Sequence, residues 1–268
     1  MTSFFECLAI IIGTMIGAGF VSGKEIQHFF IQYGNDGIYG IWIANILYGI
    51  MLIYLLWNIK DGSYQKYQNK FWIGFVTVFS FAVFCVMISS VGALVEQQWN
   101  MNRWYGIMIS ELVLYGMLMH EFKAVRLLSK WMTPFIILGI IGIAMINPQT
   151  IENELPFEFV SKKQTVHVIF SAILYASYNF LLIIPILTQL GKNQFHKKKI
   201  VGIGMSVTLM MSFLMIQIFK MNVKFMPLVW QKEIPNMYIA SLVSKRFALF
   251  YMLVLLGAIY TTALTARL

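Results

Sequence analysis

Charge is what this chain has least of. Charged residues are 12% of its 268, about half the share a soluble globular domain carries, so a water-facing surface of ordinary size is excluded. Cysteine is nearly absent as well: Cys7 and Cys85 both fall in hydrophobic runs, which excludes a stabilising disulfide framework and leaves small apolar side chains in helix packing. The four histidines, His28, His120, His167 and His196, lie on separate segments, with no metal-ligand spacing. No phosphate-binding glycine loop, Ser-His-Asp set or pair of carboxylates stands at usable positions. Gly17-Ala18-Gly19 superficially resembles part of a dinucleotide fingerprint but lacks the preceding strand and the acid about 20 residues later. Together these absences predict a protein that is not an enzyme and holds no resident cofactor.

What is present is hydrophobic length. Mean hydropathy is +0.72 and 59% of residues are hydrophobic, which predicts an all-α integral membrane protein. Windows long enough to cross a bilayer fall at 4–30, 37–57, 71–95, 104–119, 131–147, 166–190, 200–219 and 247–268, giving eight expected spans in a single transmembrane domain over 1–268. The first window lacks a basic start, carries Glu6 and runs on into Lys24-Glu25, so it reads as a span and not as a cleaved signal peptide.

The net charge of +9 is read as topology, with membrane lipid and no nucleic acid as its partner. Loops 58–70, 120–130 and 191–199 hold ten Lys and Arg against two acids, Asp61 and Glu121. The alternate loop 147–165 carries Glu152, Glu154 and Glu158 against Lys162 and Lys163. The positive-inside rule then puts the basic loops and the N-terminus in the cytoplasm. The connection 220–246, with Lys220, Lys224, Lys232, Lys245 and Arg246, dissents, and long connections obey the rule less well. Lys197-Lys198-Lys199 reads as an anchor at anionic head groups.

Two spans are poor helices on paper. Gly13-Thr14-Met15-Ile16-Gly17-Ala18-Gly19-Phe20-Val21-Ser22-Gly23-Lys24-Glu25 places four glycines inside a membrane window. Each costs a helix interior about 1 kcal/mol relative to alanine, and freed backbone groups in lipid must line a protein cavity or bind something. A discontinuous first helix is therefore expected, with a second half-helix starting around Ser22. Lys24 and Glu25 read either as a gate or ion pair at the outer mouth, or as an interfacial pair marking the membrane boundary. In the sixth span, Tyr175-Ala176-Ser177-Tyr178-Asn179 precedes Pro185, a polar cluster beside a residue that removes a backbone donor; a second broken helix is expected there. Ser89 and Ser90 suit helix packing, with a solute contact as the alternative. Glu96 fits an outer interface, and Glu111, inside a weak span, is a secondary candidate for proton handling. Thr261 and Thr262 can bond to their own i−4 carbonyls or offer hard oxygens to a monovalent cation.

Irregular first and sixth spans in corresponding positions are a signature of inverted-repeat transporters. The run from Ile12 to Phe30, and the stretch from Tyr175 to Pro185, resemble the YkvI-like family of bacterial membrane proteins, placed in the amino acid–polyamine–organocation superfamily with its LeuT-type five-plus-five fold. That resemblance implies residues 1–147 as a first five-helix repeat and 166–268 as an incomplete second one, eight of ten core helices. It implies a sodium site at the carbonyls of Gly13, Ile16 and Ala258 and the hydroxyls of Thr261 and Thr262. The proton-coupled alternative uses a fifth-helix lysine, which the window 131–147 lacks. Solute is implied against Gly17, Ala18, Gly19, Ser22, Ser89, Ser90, Tyr175, Ala176, Ser177, Tyr178 and Asn179. The expected function is a secondary active transporter of a small amino-acid-like solute in the bacterial plasma membrane, sodium-coupled and working by alternating access. The alternative is a non-transporting receptor or assembly protein resembling germination permeases.

Overall fold

A computed structural model describes residues 4–63, 69–118, 121–146, 165–189 and 196–267, all of whose regular elements are helical. Glycine spacing sets the first span. Helix α1, Phe4–Met15, stops where the Gly17 amide donates to the Met15 carbonyl instead of continuing four residues back to Gly13. Helix α2 is Ala18–Ser22 and α3 is Lys24–Phe29. Between them Gly23 adopts φ +83°, a left-handed value that costs a residue with a Cβ about 1–2 kcal/mol.

The span therefore breaks at Ile16-Gly17 and again at Gly23, and the chain resumes as helix at Ala18, earlier than the expected Ser22. The remaining helices are α4, Asp36–Asp61, α5, Lys70–Trp99, α6, Arg103–Leu118, and α7, Glu121–Ala144. They continue as α8, Thr165–Gln189, α9, Lys197–Lys224, α10, Pro235–Val243, and α11, Lys245–Arg267. Six stretches among the described residues are long and apolar enough to cross a membrane as single helices: α4, α5, Leu127–Ala144 of α7, Thr165–Thr188 of α8, α9, and Lys245–Ala266 of α11. The other two of the eight expected windows differ. The first is divided among α1, α2 and α3, and the 104–119 window is the 16-residue α6, about 24 Å long at 1.5 Å per residue.

The sixth span corrects its expectation. Helix α8 runs unbroken from Thr165 to Gln189 with Pro185 inside it. The segment contains no glycine, and several of its polar groups are answered within the helix or by neighbours. Asn179 Nδ2 donates to the Tyr175 carbonyl at 3.0 Å, Thr188 Oγ1 to the Pro185 carbonyl at 2.8 Å, and Ser171 Oγ to the Phe29 carbonyl at 2.7 Å. Pro185 lies in the last turns, where the loss of one donor leaves the helix preceding it intact.

Six consecutive residues of α1, Ile10 to Met15, are buried, as befits a helix enclosed on all sides; it packs against α7, α8, α9 and α11. The elements of the two implied repeats interleave, α4 lying against α8 and α9, and α11 against α5 and α7. The α4–α9 seam is close because both helices present glycine. A Cβ on Gly49 would strike Thr208 Oγ1, and one on Gly204 would come within 2.7 Å of Ile53 Cδ1. Gly204→Leu is expected to destabilise the fold by about 1–3 kcal/mol through overpacking, read as a lower melting midpoint in detergent; an unchanged midpoint would refute the close seam.

Candidate functional site

The break in the first span opens on two cavities. The outer one, about 570 Å³, is lined by Ala18, Gly19, Ser22, Lys24, Glu25, His28 and Phe29 from α2 and α3, by Ser89 and Ser90 among others from α5, and by Arg103, Glu233, Ile234 and Leu255. The inner one, about 190 Å³, is lined by Thr14, Met15 and Gly17 at the break, Glu25, residues of α5, then Tyr178, Asn179 and Leu182 of α8 and Thr262 of α11. Glu25, Val86 and Met87 line both, so the carboxylate is the one polar side chain common to the two.

Glu25 is the residue whose place the sequence leaves open, and the structure decides it. It does not pair with Lys24. Gly23 turns α3 so that the Glu25 side chain folds back onto Gly19, where a Cβ would lie 2.7 Å from the carboxyl carbon. Tyr178 Oη donates to Glu25 Oε2 at 2.5 Å, and the Tyr178 ring stacks on Phe29 at 5.8 Å and 25°. Lys24 turns outward and donates to the carbonyls of Trp230 and Lys232 at 3.1 and 3.0 Å. Among the described residues no Lys, Arg or His comes within ion-pair distance of Glu25. Glu25 is partly accessible through the two cavities, and the phenol engages only Oε2, which leaves Oε1 open to a cationic partner.

The expected solute residues divide. Gly17, Tyr178 and Asn179 reach the inner cavity; Ala18, Gly19, Ser22, Ser89 and Ser90 reach the outer one. Tyr175, Ala176 and Ser177 line neither; Tyr175 is buried edge-on against Phe29 and Phe30, at 5.3 and 5.2 Å. Of the expected sodium set, Thr262 lines the inner cavity, and its Oγ1 lies 3.4 Å from where a Cβ on Gly17 would stand. Thr261 Oγ1 donates to the carbonyls of Gly257 and Ala258, both at 2.9 Å, which leaves its lone pairs for a cation. Gly13 packs against α7, a Cβ there falling 2.5 Å from Thr133 Oγ1. Ile16 and Ala258 are buried. Glu111 is exposed on α6 and lines neither cavity.

The outer cavity has a polar rim. Arg103 Nη2 bonds both oxygens of Glu233 at 2.8 and 3.0 Å and Arg103 Nε donates to Glu96, tying the ends of α5 and α6 to the segment before α10. Deeper, Gln27 Nε2 donates to Asn222 Oδ1, Asn222 Nδ2 to Asn236 Oδ1, and Asn236 Nδ2 to the Val21 carbonyl, at 3.0, 2.8 and 2.8 Å. Tyr251 Oη donates to the same carbonyl at 2.6 Å.

The chain is 24% identical over 267 residues to the protein described as uncharacterized membrane protein YkvI of Bacillus subtilis (strain 168), a match covering 95% of this chain and 76% of that one. It is 24% identical over 200 residues to uncharacterized protein YyaD of the same organism, covering 69% of this chain and 56% of that protein. No family model matches.

Proposed function

Starting from a YkvI-like membrane protein with several membrane-crossing helices, we propose that this chain is a secondary active transporter of a small amino-acid-like solute. The observation that carries this reading is the broken first span lying against two cavities that share a carboxyl group, Glu25. Broken backbone in a membrane protein is tolerated where it lines a cavity, and such breaks in transporters face the substrate. In this reading the fold is LeuT-type, the N-terminus is cytoplasmic in a bacterial plasma membrane, and the transport cycle alternates access to the site between α2–α3, α5 and α8.

The coupling ion is sodium, held by the carbonyls of Gly13, Ile16 and Ala258 and by Thr261, with Thr262 beside them. The Gly13 carbonyl suits this role because its helical donor, the Gly17 amide, bonds to Met15 instead.

Uptake of radiolabelled amino acids into proteoliposomes, with an inward sodium gradient or with choline replacing sodium, tests the proposal. Sodium-dependent accumulation is expected. Thr261→Ala is expected to remove the sodium dependence, lowering initial rates by about tenfold or more, as for loss of a hydrogen bond to a charged group worth 1.5–3 kcal/mol. Uptake driven by a proton gradient and indifferent to sodium would refute the ion assignment. Binding without flux across the sealed membrane would make the chain a receptor, as in germination permeases.

A further inference from the structure

The inner cavity has a one-sided chemistry. Most hydrogen-bond donors on its wall are already committed: Thr14 Oγ1 to the Ile10 carbonyl, Tyr178 Oη to Glu25, one N–H of Asn179 Nδ2 to the Tyr175 carbonyl, and the Gly17 amide to Met15. The Tyr175 carbonyl can only accept, which fixes which end of the Asn179 amide faces it. What remains is acceptors. Asn179 Oδ1 and Thr262 Oγ1 are both buried without a partner, on side chains 1% exposed, and the half-buried Glu25 carboxyl on the same wall has no cation beside it among the described residues. Unpaired buried oxygens are uncommon in folded proteins. Two on the wall of one cavity, beside a carboxyl group with no cationic partner, mark a place for a donor-rich cation.

Size and lining choose among cations. About 190 Å³ holds roughly six waters at 30 Å³ each, enough for an ammonium group with a few carbons. The rest of the wall is Met15, Ala82, Val83, Val86, Met87 and Leu182, carbon and sulfur that suit an alkyl chain. A small hard metal ion seeks a full shell of oxygens, which this wall does not offer.

We propose that the inner cavity is the receptor for the primary ammonium group of the solute, with Glu25 as counter-charge and Asn179 and Thr262 as further acceptors. The inference rests on the transport reading for its biological meaning, and it moves Thr262 from the ion to the solute. The group recognised is the amine, whether it belongs to an amino acid or to a simple alkylamine.

The test is thermal stabilisation of the purified chain in amine-free phosphate buffer, with ethylamine, alanine and propionate as probes and with sodium or potassium as the salt. Ligands that bind the folded state raise its melting midpoint by mass action. Ethylamine and alanine are expected to stabilise and propionate is not; stabilisation by alanine alone would assign the source as amino acids, still through the amine. Glu25→Gln keeps the shape and an acceptor for Tyr178, and is expected to weaken amine binding by about 30-fold or more, as for removal of one partner of a buried charge pair. Thr262→Val tests the same cavity with the charge intact and is expected to cost about 3–10-fold, as for one neutral hydrogen bond. Three results would each overturn the assignment: propionate matching alanine, amine affinity within twofold of wild type in folded Glu25→Gln, or no stabilisation by either amine at 100 mM. Stabilisation that needs Glu25 but answers to sodium alone would overturn it too. Amine binding without uptake would leave this site standing and sink transport; uptake indifferent to the amine would do the reverse.

Discussion

Gly19→Val is expected to reduce uptake in proteoliposomes by about 100-fold or more, with the protein still monodisperse. Displacing reacting or binding groups by as little as 1 Å can have an effect of that order. At Gly19 the space for a side chain is already taken: a Cβ would sit 2.6 Å from Glu25 Cγ and 2.7 Å from its carboxyl carbon. The α3 backbone next to Glu25 is held by Gly23 and by the Gln27–Asn222 bond, so the carboxylate gives way. It leaves Tyr178 and moves out of both cavities. Gly19→Ala makes the same contact with less bulk and is expected to fall between the two. Normal uptake by Gly19→Val would mean that Glu25 takes no part in the site.

A second large effect is expected at Asn236, which is fully buried and lines neither of the two cavities. Its amide accepts from Asn222 and donates to the Val21 carbonyl and to Tyr251 Oη, at 2.8, 2.8 and 3.3 Å. Asn236→Leu is close in volume but leaves an Asn222 N–H orphaned in the interior. An unmade buried bond costs about 1–3 kcal/mol, so with the loss to Val21 the change is about 2–4 kcal/mol. The melting midpoint then falls by roughly 4–16 °C at 2–4 °C per kcal/mol. Tyr251 still holds the Val21 carbonyl, so the double variant with Tyr251→Phe is expected to lose more than the sum of the singles. A drop under 2 °C for Asn236→Leu would show that the network is not a stabilising one.

The break at Ile16-Gly17 was legible in the sequence because its cause is local: glycines weaken a helix wherever they stand. The course of α8 was not, because Tyr175, Ser177, Tyr178 and Asn179 are polar for different reasons. Asn179 bonds back to its own helix and Tyr178 reaches across to Glu25. Such partners sit far away in sequence, and a polar cluster beside a proline looks the same with or without them. Glu25 was harder still. Its inward turn depends on the sign of φ at Gly23; with an ordinary helical value there, α3 would continue α2 and carry the acid elsewhere. Thr262 was found by its pairing with Thr261, yet only the three-dimensional contact with Gly17 shows which of the two hydroxyls meets the broken segment.

Gly23 also divides two sets of attachments. The Val21 carbonyl is held by Asn236 of α10 and Tyr251 of α11, while Glu25, Gln27 and Phe29 are fastened to α8 and α9 through Tyr178, Asn222 and Ser171. The backbone between these moorings is Ser22, Gly23 and Lys24. If the α10–α11 pair and the α8–α9 pair shift against each other, the displacement falls on the torsions of these three residues, with Gly23 the most permissive of them, and the Asn222–Asn236 bond is the one stretched between the two sets. A change in the Val21-to-Gln27 distance would register that movement.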